Sequence, residues 1–176
     1  MLTYEDALYH KMLLEVGVTD ELGQTVERLL AEEAPLSDIA LRLGYANGDP
    51  NEQLSALNEY LASAPEGGID EEAVLAKLTV YLKKVYEADP DDLKGIADLM
   101  YRMTVNTGRQ HDAPWQRLWL LGDLYDLVEQ DLFSEEEYRQ RVRALLYGEA
   151  PADRPNAPEK KRGVFGWLKK LLGKHE

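Results

Sequence analysis

Residues 114–146 read PWQRLWLLGDLYDLVEQDLFSEEEYRQRVRALL, and this stretch decides the fold class. Apolar side chains recur every three or four residues on both sides of a short polar break, which is the period of an α-helix. Ser134 and Glu137 have the spacing of a capping box, a pattern that opens a helix. The stretch therefore predicts two helices joined by a turn. Because the first is apolar around most of its circumference, we expect it to lie at the centre of the core.

The same helical period continues toward the amino terminus, and strict alternation over a strand length is hard to find. Thr3 with Asp6 resembles a second capping box, and Asp70 is placed to cap a long helix. Residues 89–92, Asp-Pro-Asp-Asp, are expected to open another helix with a cap and a proline in its first turn. The sequence thus predicts an all-α fold, a compact array of about eight short-to-medium helices over residues 1–148.

The carboxy-terminal segment has a different composition. Residues 149–159 contain three prolines and predict a linker. Residues 160–176, KKRGVFGWLKKLLGKHE, predict a short amphipathic tail helix. Its apolar face would hold Val164, Trp167, Leu168, Leu171 and Leu172 with Phe165 at the edge, and Lys161, Lys169 and Lys170 would lie opposite or to the side.

A short basic helix with Phe and Trp is typical of an interfacial membrane anchor, whose lysines meet anionic headgroups. Three glycines and a length of about 11 residues make such a helix marginal alone in water, so we expect it to fold on contact with something else. A membrane, a groove on a partner protein and the protein's own acidic body are the three alternatives. A single short helix anchors weakly, so oligomerisation or a second contact is expected to assist it.

Charge is divided unevenly along the chain. The net charge of −13 combines about −17 over residues 1–149 with +4 over residues 150–176. Such an acidic body repels the phosphates of nucleic acids, so no nucleic acid is expected as a partner. A rival interpretation is a soluble acidic binding or inhibitor protein, which mimics nucleic acid or engages a basic partner and keeps the tail docked on its own body.

Residues 37–45, Ser-Asp-Ile-Ala-Leu-Arg-Leu-Gly-Tyr, follow the run S-x-I-A-x-x-x-G-[FY]. This run resembles the first helix and turn of the helix-turn-helix unit in AraC-type transcription regulators, and the resemblance implies a DNA-binding function. The following helix, residues 49–61, carries Asp49, Glu52 and Glu59 and no Lys or Arg. A recognition helix normally presents basic and amide groups, so a plain helical corner is the competing interpretation.

A second local pattern covers about 25 residues. Residues 131–138, Asp-Leu-Phe-Ser-Glu-Glu-Glu-Tyr, follow a leucine-rich helix and open another one. This arrangement resembles the short carboxy-terminal hairpin domain called SHOCT, with Asp131 in place of the usual glycine. The resemblance implies an αα-hairpin and no particular activity.

Catalytic and metal-binding patterns have little support in the sequence. There is no cysteine, no pair of histidines at helical spacing and no glycine-rich phosphate loop. His111, beside Arg109 and Asp112, is the one acid-base candidate, and an enzyme built on it would require a deep pocket around that loop. We therefore expect no enzymatic activity and no cofactor.

The amino terminus lacks a basic start and a long apolar stretch, so no signal peptide is expected, and no run approaches the ~18 apolar residues that span a bilayer. The expected location is the cytoplasm, with recruitment to the inner face of the membrane. The preferred interpretation is a non-enzymatic helical interaction or adaptor protein with an unknown protein partner, reversibly held at an anionic membrane surface by its tail. Assembly into a homo-oligomer is a further expectation.

Overall fold

The computed structural model describes residues 1–106 and 108–148, and over these ranges the chain is all-helical with no strand. The prediction of an all-α array is therefore confirmed. The described residues form eight helices, which in chain order are α1 (Tyr4–Glu15), α2 (Asp20–Glu32), α3 (Asp38–Tyr45), α4 (Pro50–Ala62), α5 (Glu71–Ala88), α6 (Leu93–Val105), α7 (Gln116–Glu129) and α8 (Glu135–Tyr147).

The predicted caps open three of these helices. The Thr3 hydroxyl accepts a hydrogen bond from the Asp6 N–H at 3.1 Å, and the Asp6 carboxylate accepts one from the Thr3 N–H at 3.2 Å. The Asp70 carboxylate accepts from the Ala73 N–H at 3.1 Å, and the Ser134 hydroxyl accepts from the Glu137 N–H at 3.2 Å. Each contact satisfies an N–H that has no partner inside its helix.

The predicted start of α6 is wrong by three residues. The helix begins at Leu93, and the carboxylate that caps it belongs to Asp92, which accepts from the Gly95 N–H at 2.8 Å. Asp89 instead accepts from the Asp91 N–H at 3.2 Å, within the preceding turn. A run of three carboxylates supplies competing caps, and the helix begins where the Leu93 side chain is buried in the core.

Within the described part of the chain, the interior consists of two hydrophobic clusters that share α1. The amino-terminal cluster combines residues of α1 with residues of α2, α3 and α4, and the carboxy-terminal cluster combines α1 with α5, α6, α7 and α8. Ala7 and Leu14 face the first cluster, whereas Leu8, Met12 and Leu13 face the second. Helix α1 is therefore the central element, and it is apolar on two opposite sides because it has a core on each side.

The prediction that α7 lies at the centre of the core is wrong. Within this helix only Leu118, Gly122 and Val128 are fully buried. Its inner side lies very close to α6, since a Cβ atom added to Gly122 would be 2.8 Å from the backbone nitrogen of Tyr101. The opposite side of α7 is at the periphery. A helix that is apolar all round can be central, as α1 is, or it can expose apolar surface, as α7 does.

Candidate interaction surface

The residues predicted to bind a membrane or a partner lie outside the described part of the chain. These are Lys161, Val164, Phe165, Trp167, Leu168, Lys169, Lys170, Leu171 and Leu172, and their role stays a prediction. The structure does fix the point from which the chain continues toward them. Helix α8 ends at Tyr147, and Gly148 has the left-handed conformation, with φ of 66°, that commonly terminates a helix.

The end of α8 is held against α5. The Tyr147 hydroxyl donates to a carboxylate oxygen of Glu87 at 3.1 Å, and the Lys83 ammonium lies 4.5 Å from the centre of the Tyr147 ring. Near the start of α8, Arg139 forms a salt bridge at 3.2 Å with Asp91, which lies in the turn between α5 and α6. Gly148 therefore has a defined position at the surface of the helical array.

The outward side of α7 carries leucines that the core does not use. Leu120 and Leu127 are separated by two helical turns and lie opposite the inner residues Leu118 and Gly122. Both are half-buried, and neither belongs to the residues packed in the carboxy-terminal cluster. Just beyond the helix, Leu132 is 68% exposed, and its N–H donates to the Leu127 carbonyl at 2.9 Å. We call Leu120, Leu127 and Leu132 the α7 stripe.

Acidic groups lie within and beside the α7 stripe. Asp123 is one turn from both Leu120 and Leu127, and Asp126 is one turn from Asp123. Burial, and then the negative charge of Asp126, raise the pKa of Asp123. Within residues 1–106 and 108–148 neither aspartate forms a salt bridge, whereas Glu129, at the end of the same helix, pairs with Lys94 at 2.6 Å. The stripe thus combines apolar surface with carboxylates that lack a cation in the described structure.

A second exposed apolar patch lies on α2 and α3. Tyr45 is 85% exposed, and Leu41 is exposed one turn before it on the same face of α3. Leu30 of α2 is also exposed, and its side chain lies against Gly44, where a Cβ atom would approach it to 3.2 Å. We call Leu30, Leu41 and Tyr45 the α3 patch.

The corner between α3 and α4 has the shape expected from the sequence but not a basic surface. Asn47 and Gly48 both adopt positive φ, 46° and 81°, and so form the turn. Arg42 of α3 forms a salt bridge at 2.8 Å with Glu59 of α4, the helix that corresponds to the recognition helix of a helix-turn-helix unit. The exposed side chains of α4 are neutral or acidic, and they include Asn51, Glu52, Ser55, Asn58 and Glu59. This surface does not favour a phosphate backbone.

The loop before α7 carries His111 at the surface of the protein. That ring is exposed and lies edge-on to Trp119, with the ring centres 5.2 Å apart. Arg109 is bound to Glu71, and the same carboxylate accepts a hydrogen bond from the buried Trp115 indole at 2.7 Å. These contacts attach the loop to the start of α5, so their evident role is structural.

A shallow cavity of about 180 Å³ lies elsewhere, at the end of α2. It is lined by Met1, Arg28, Leu29, Glu32 and Glu33. Both carboxylate oxygens of Glu33 are buried without a hydrogen-bond partner, and the amino group of Met1 is 3.9 Å from one of them. The amino terminus therefore supplies a positive charge beside Glu33, at a helix end whose dipole is unfavourable for a carboxylate.

Among the described residues, no group of three or more His, Cys, Asp or Glu side chains is placed to hold a metal ion. No helix in the described part of the chain is long and apolar enough to cross a membrane.

Comparison with known proteins yields no match to a family model, to a curated protein sequence or to a solved structure. The similarities to AraC-type helix-turn-helix units and to the SHOCT hairpin therefore remain local resemblances. Asp131 does adopt a left-handed φ of 55°, the conformation for which glycine is favoured at the corresponding position of the SHOCT pattern.

Sequence reasoning did not separate the α7 stripe from the core. The signal was present, because α7 has more apolar residues than one buried side of a helix needs. The same excess also fits a helix buried on all sides, and only the packing of α6 and α8 on one side of α7 distinguishes the two cases.

Proposed function

We propose that the protein is a non-enzymatic helical interaction or adaptor protein that residues 160–176 recruit reversibly to an anionic membrane surface. The observation that carries the proposal is the division of the chain into an acidic helical body and a basic amphipathic tail. A net charge of about −17 over residues 1–149 and of +4 over residues 150–176 gives the two parts opposite preferences for an anionic surface.

The packing of the body supports a separate role for the tail. Both hydrophobic clusters are formed by residues between Leu2 and Leu146, and all eight helices contribute to one or the other. The described array thus has its own core, so the proposal assigns the large apolar residues of the tail to another contact. The connection at Gly148, where α8 ends, is consistent with this division.

The expected strength of the anchor is modest. Each lysine near an anionic surface contributes on the order of 1 kcal/mol, and this contribution falls with salt. About six large apolar side chains could enter the boundary between headgroups and acyl chains. The negative body is repelled by the anionic surface, and this repulsion offsets part of the binding free energy that the lysines and the apolar side chains contribute. The protein should therefore exchange between membrane and solution. An adaptor also needs a second contact, and the α3 patch is the exposed apolar surface that could supply it.

The first test is sedimentation of the full chain with vesicles of phosphatidylcholine alone and of phosphatidylcholine mixed with phosphatidylserine. We expect binding to the mixed vesicles only, and at least tenfold weaker binding when salt rises from 50 to 300 mM. Leu168→Glu with Leu171→Glu should abolish the binding, because both carboxylates enter the apolar face of the tail.

The matched control is Val80→Glu, which places the same carboxylate at an exposed apolar residue of α5. It should leave vesicle binding unchanged. Absence of binding by the unmodified chain, or equal binding by the tail variant, would overturn the membrane proposal.

A further inference from the structure

We infer that, when no membrane is present, residues 160–176 dock on the α7 stripe with their lysines beside Asp123 and Asp126. The inference rests on the proposed function in that it assigns the tail a second, competing binding surface within the same molecule. Reversible recruitment would then be an exchange of one apolar face of the tail between α7 and the bilayer.

The surface is suited to an amphipathic helix that bears lysines. Leu120 and Leu127 lie about 10 Å apart along the axis of α7, at a rise of about 1.5 Å per residue. Leu132 extends the apolar surface beyond the end of the helix. Asp123 lies between the two leucines of α7 on the exposed side of the helix. Partial loss of hydration, and then the negative charge of Asp126, raise its pKa and so disfavour its charged form. A cation supplied from outside the described residues would relieve this cost.

The tail has the matching arrangement of charges and apolar groups. Trp167 and Leu171 are spaced by one turn on its predicted apolar face, and Lys169 and Lys170 are expected opposite that face or to its side. An apolar face rimmed by cations fits an apolar stripe rimmed by carboxylates, in the mode by which amphipathic helices occupy grooves of partner proteins.

The linker is long enough for this contact. Helices α7 and α8 form a hairpin, with the Tyr125 and Tyr138 rings 5.1 Å apart near the turn, so the end of α8 comes back along α7. Residues 149–159 span up to about 36 Å when fully extended, whereas α7 is about 21 Å long. A segment tethered this closely has a high effective concentration, so a weak contact is sufficient.

Neither a second copy of the body nor the membrane fits the α7 stripe as well. A two-fold contact would place Asp123 and Asp126 of one molecule beside the same aspartates of the other. Anionic headgroups would likewise meet these two carboxylates. Both contacts bring like charges together, whereas the tail brings lysines.

The test uses the full chain with the photoreactive residue p-benzoylphenylalanine at position 167 in place of Trp167. On irradiation at low micromolar concentration without vesicles, we expect adducts within one molecule that map to residues 116–132. Leu120→Gln with Leu127→Gln should reduce their yield at least fivefold, since glutamine keeps the helix propensity and removes the apolar contact. Val80→Gln, at an exposed apolar residue of α5 outside both named surfaces, is the matched control and should leave the yield unchanged.

A second measurement compares vesicle binding of the same variants in the chain with Trp167 intact. If the stripe competes for the tail, Leu120→Gln with Leu127→Gln should bind anionic vesicles about three- to tenfold more tightly than the unmodified chain. Asp123→Asn with Asp126→Asn, which keeps the helix surface apolar and of equal size, should act in the same direction.

Adducts that map outside residues 116–132, adducts between two molecules, or an unchanged yield in the stripe variant would overturn the docking inference. The two proposals fail separately. Adducts on α7 together with no sedimentation of any variant would overturn membrane recruitment and leave docking in place. Vesicle binding that the stripe substitutions do not alter, together with adducts outside residues 116–132, would overturn docking and leave membrane recruitment in place.

Discussion

Helices α1 and α7 both carry apolar residues around most of the circumference, yet the two helices are buried to different extents. Helix α1 lies between two clusters and buries Ala7, Leu8, His10, Met12, Leu13 and Leu14. Helix α7 packs on α6 and α8 with one side and leaves Leu120 and Leu127 only half-buried on the other. Helix α7 thus has apolar surface that folding leaves partly exposed, as the α3 patch also has, and such surface calls for an explanation by binding.

The two helices should differ most in how far a leucine-to-alanine substitution lowers the free energy of unfolding of the protein. Leu13→Ala removes a side chain that is 1% exposed in the carboxy-terminal cluster and should lower the free energy of unfolding by about 3–4 kcal/mol. Leu127→Ala makes the same chemical change on the α7 stripe and should cost about 1 kcal/mol or less. Urea unfolding followed by circular dichroism measures both values. Equal losses would mean that Leu127 belongs to the core and that α7 has no free side.

The two helices also differ in their histidines, because α1 buries His10 and the loop before α7 exposes His111. Burial lowers the pKa of His10 from 6.5 to about 4, and the nearby carboxylates of Asp6 and Glu21 offset only part of that effect. Between these pH values the unfolded chain takes up a proton that the folded chain does not. The stability from this group is thus complete above about pH 6.5 and declines as the pH falls toward 4, by about 3 kcal/mol in total.

His10→Phe replaces the ring by one that does not titrate. Its free energy of unfolding should depend less steeply on pH than that of the unmodified chain between pH 6.5 and 4, whatever its absolute stability. His111→Phe makes the same substitution at an exposed position and serves as the matched control. Parallel curves for the unmodified chain and His10→Phe would show that His10 titrates normally and that α1 is less enclosed than the structure indicates.

Much of the fold could be predicted because its signals are local. Thr3, Asp70 and Ser134 each have a side-chain oxygen at the position where a helix needs an acceptor, and the structure uses all three. The start of α6 was harder, because Asp89 and Asp92 are equivalent as local caps. Only the burial of Leu93, which depends on α5 and α7, distinguishes them.

The candidate site was predictable only in part, for a related reason. The tail is recognisable because its apolar residues recur at helical spacing, with charged residues between them, inside one short segment. The α7 stripe depends on which side of α7 meets α6, and Gly122 indicates this side only once Tyr101 is seen to pack against it. Information about contacts between distant segments is weak in a single sequence, whereas information about caps and periods is strong.

The smallest effect, and the sharpest test of the orientation of α7, comes from two glycines inside helices. Alanine at an open helical position should stabilise the protein by about 0.5–1 kcal/mol, and Gly23 of α2 is such a position, with no atom within 4 Å of an added Cβ. Gly122→Ala gains the same propensity, but its Cβ would lie 2.8 Å from the backbone of Tyr101, so α6 and α7 must separate. The net result should be a loss of about 1 kcal/mol, given typical costs of overpacking.

The opposite signs of these two substitutions, measured in the same unfolding experiment, would place Gly122 on the tightly packed side of α7. Leu120 and Leu127 then have to face away from α6, because residues two before or five after Gly122 lie on the other side of a helix with 3.6 residues per turn. If Gly122→Ala stabilised the protein as much as Gly23→Ala does, α6 and α7 would not be in close contact. The outward position of the α7 stripe would lose its structural basis, and the docking of the tail on it would lose its surface.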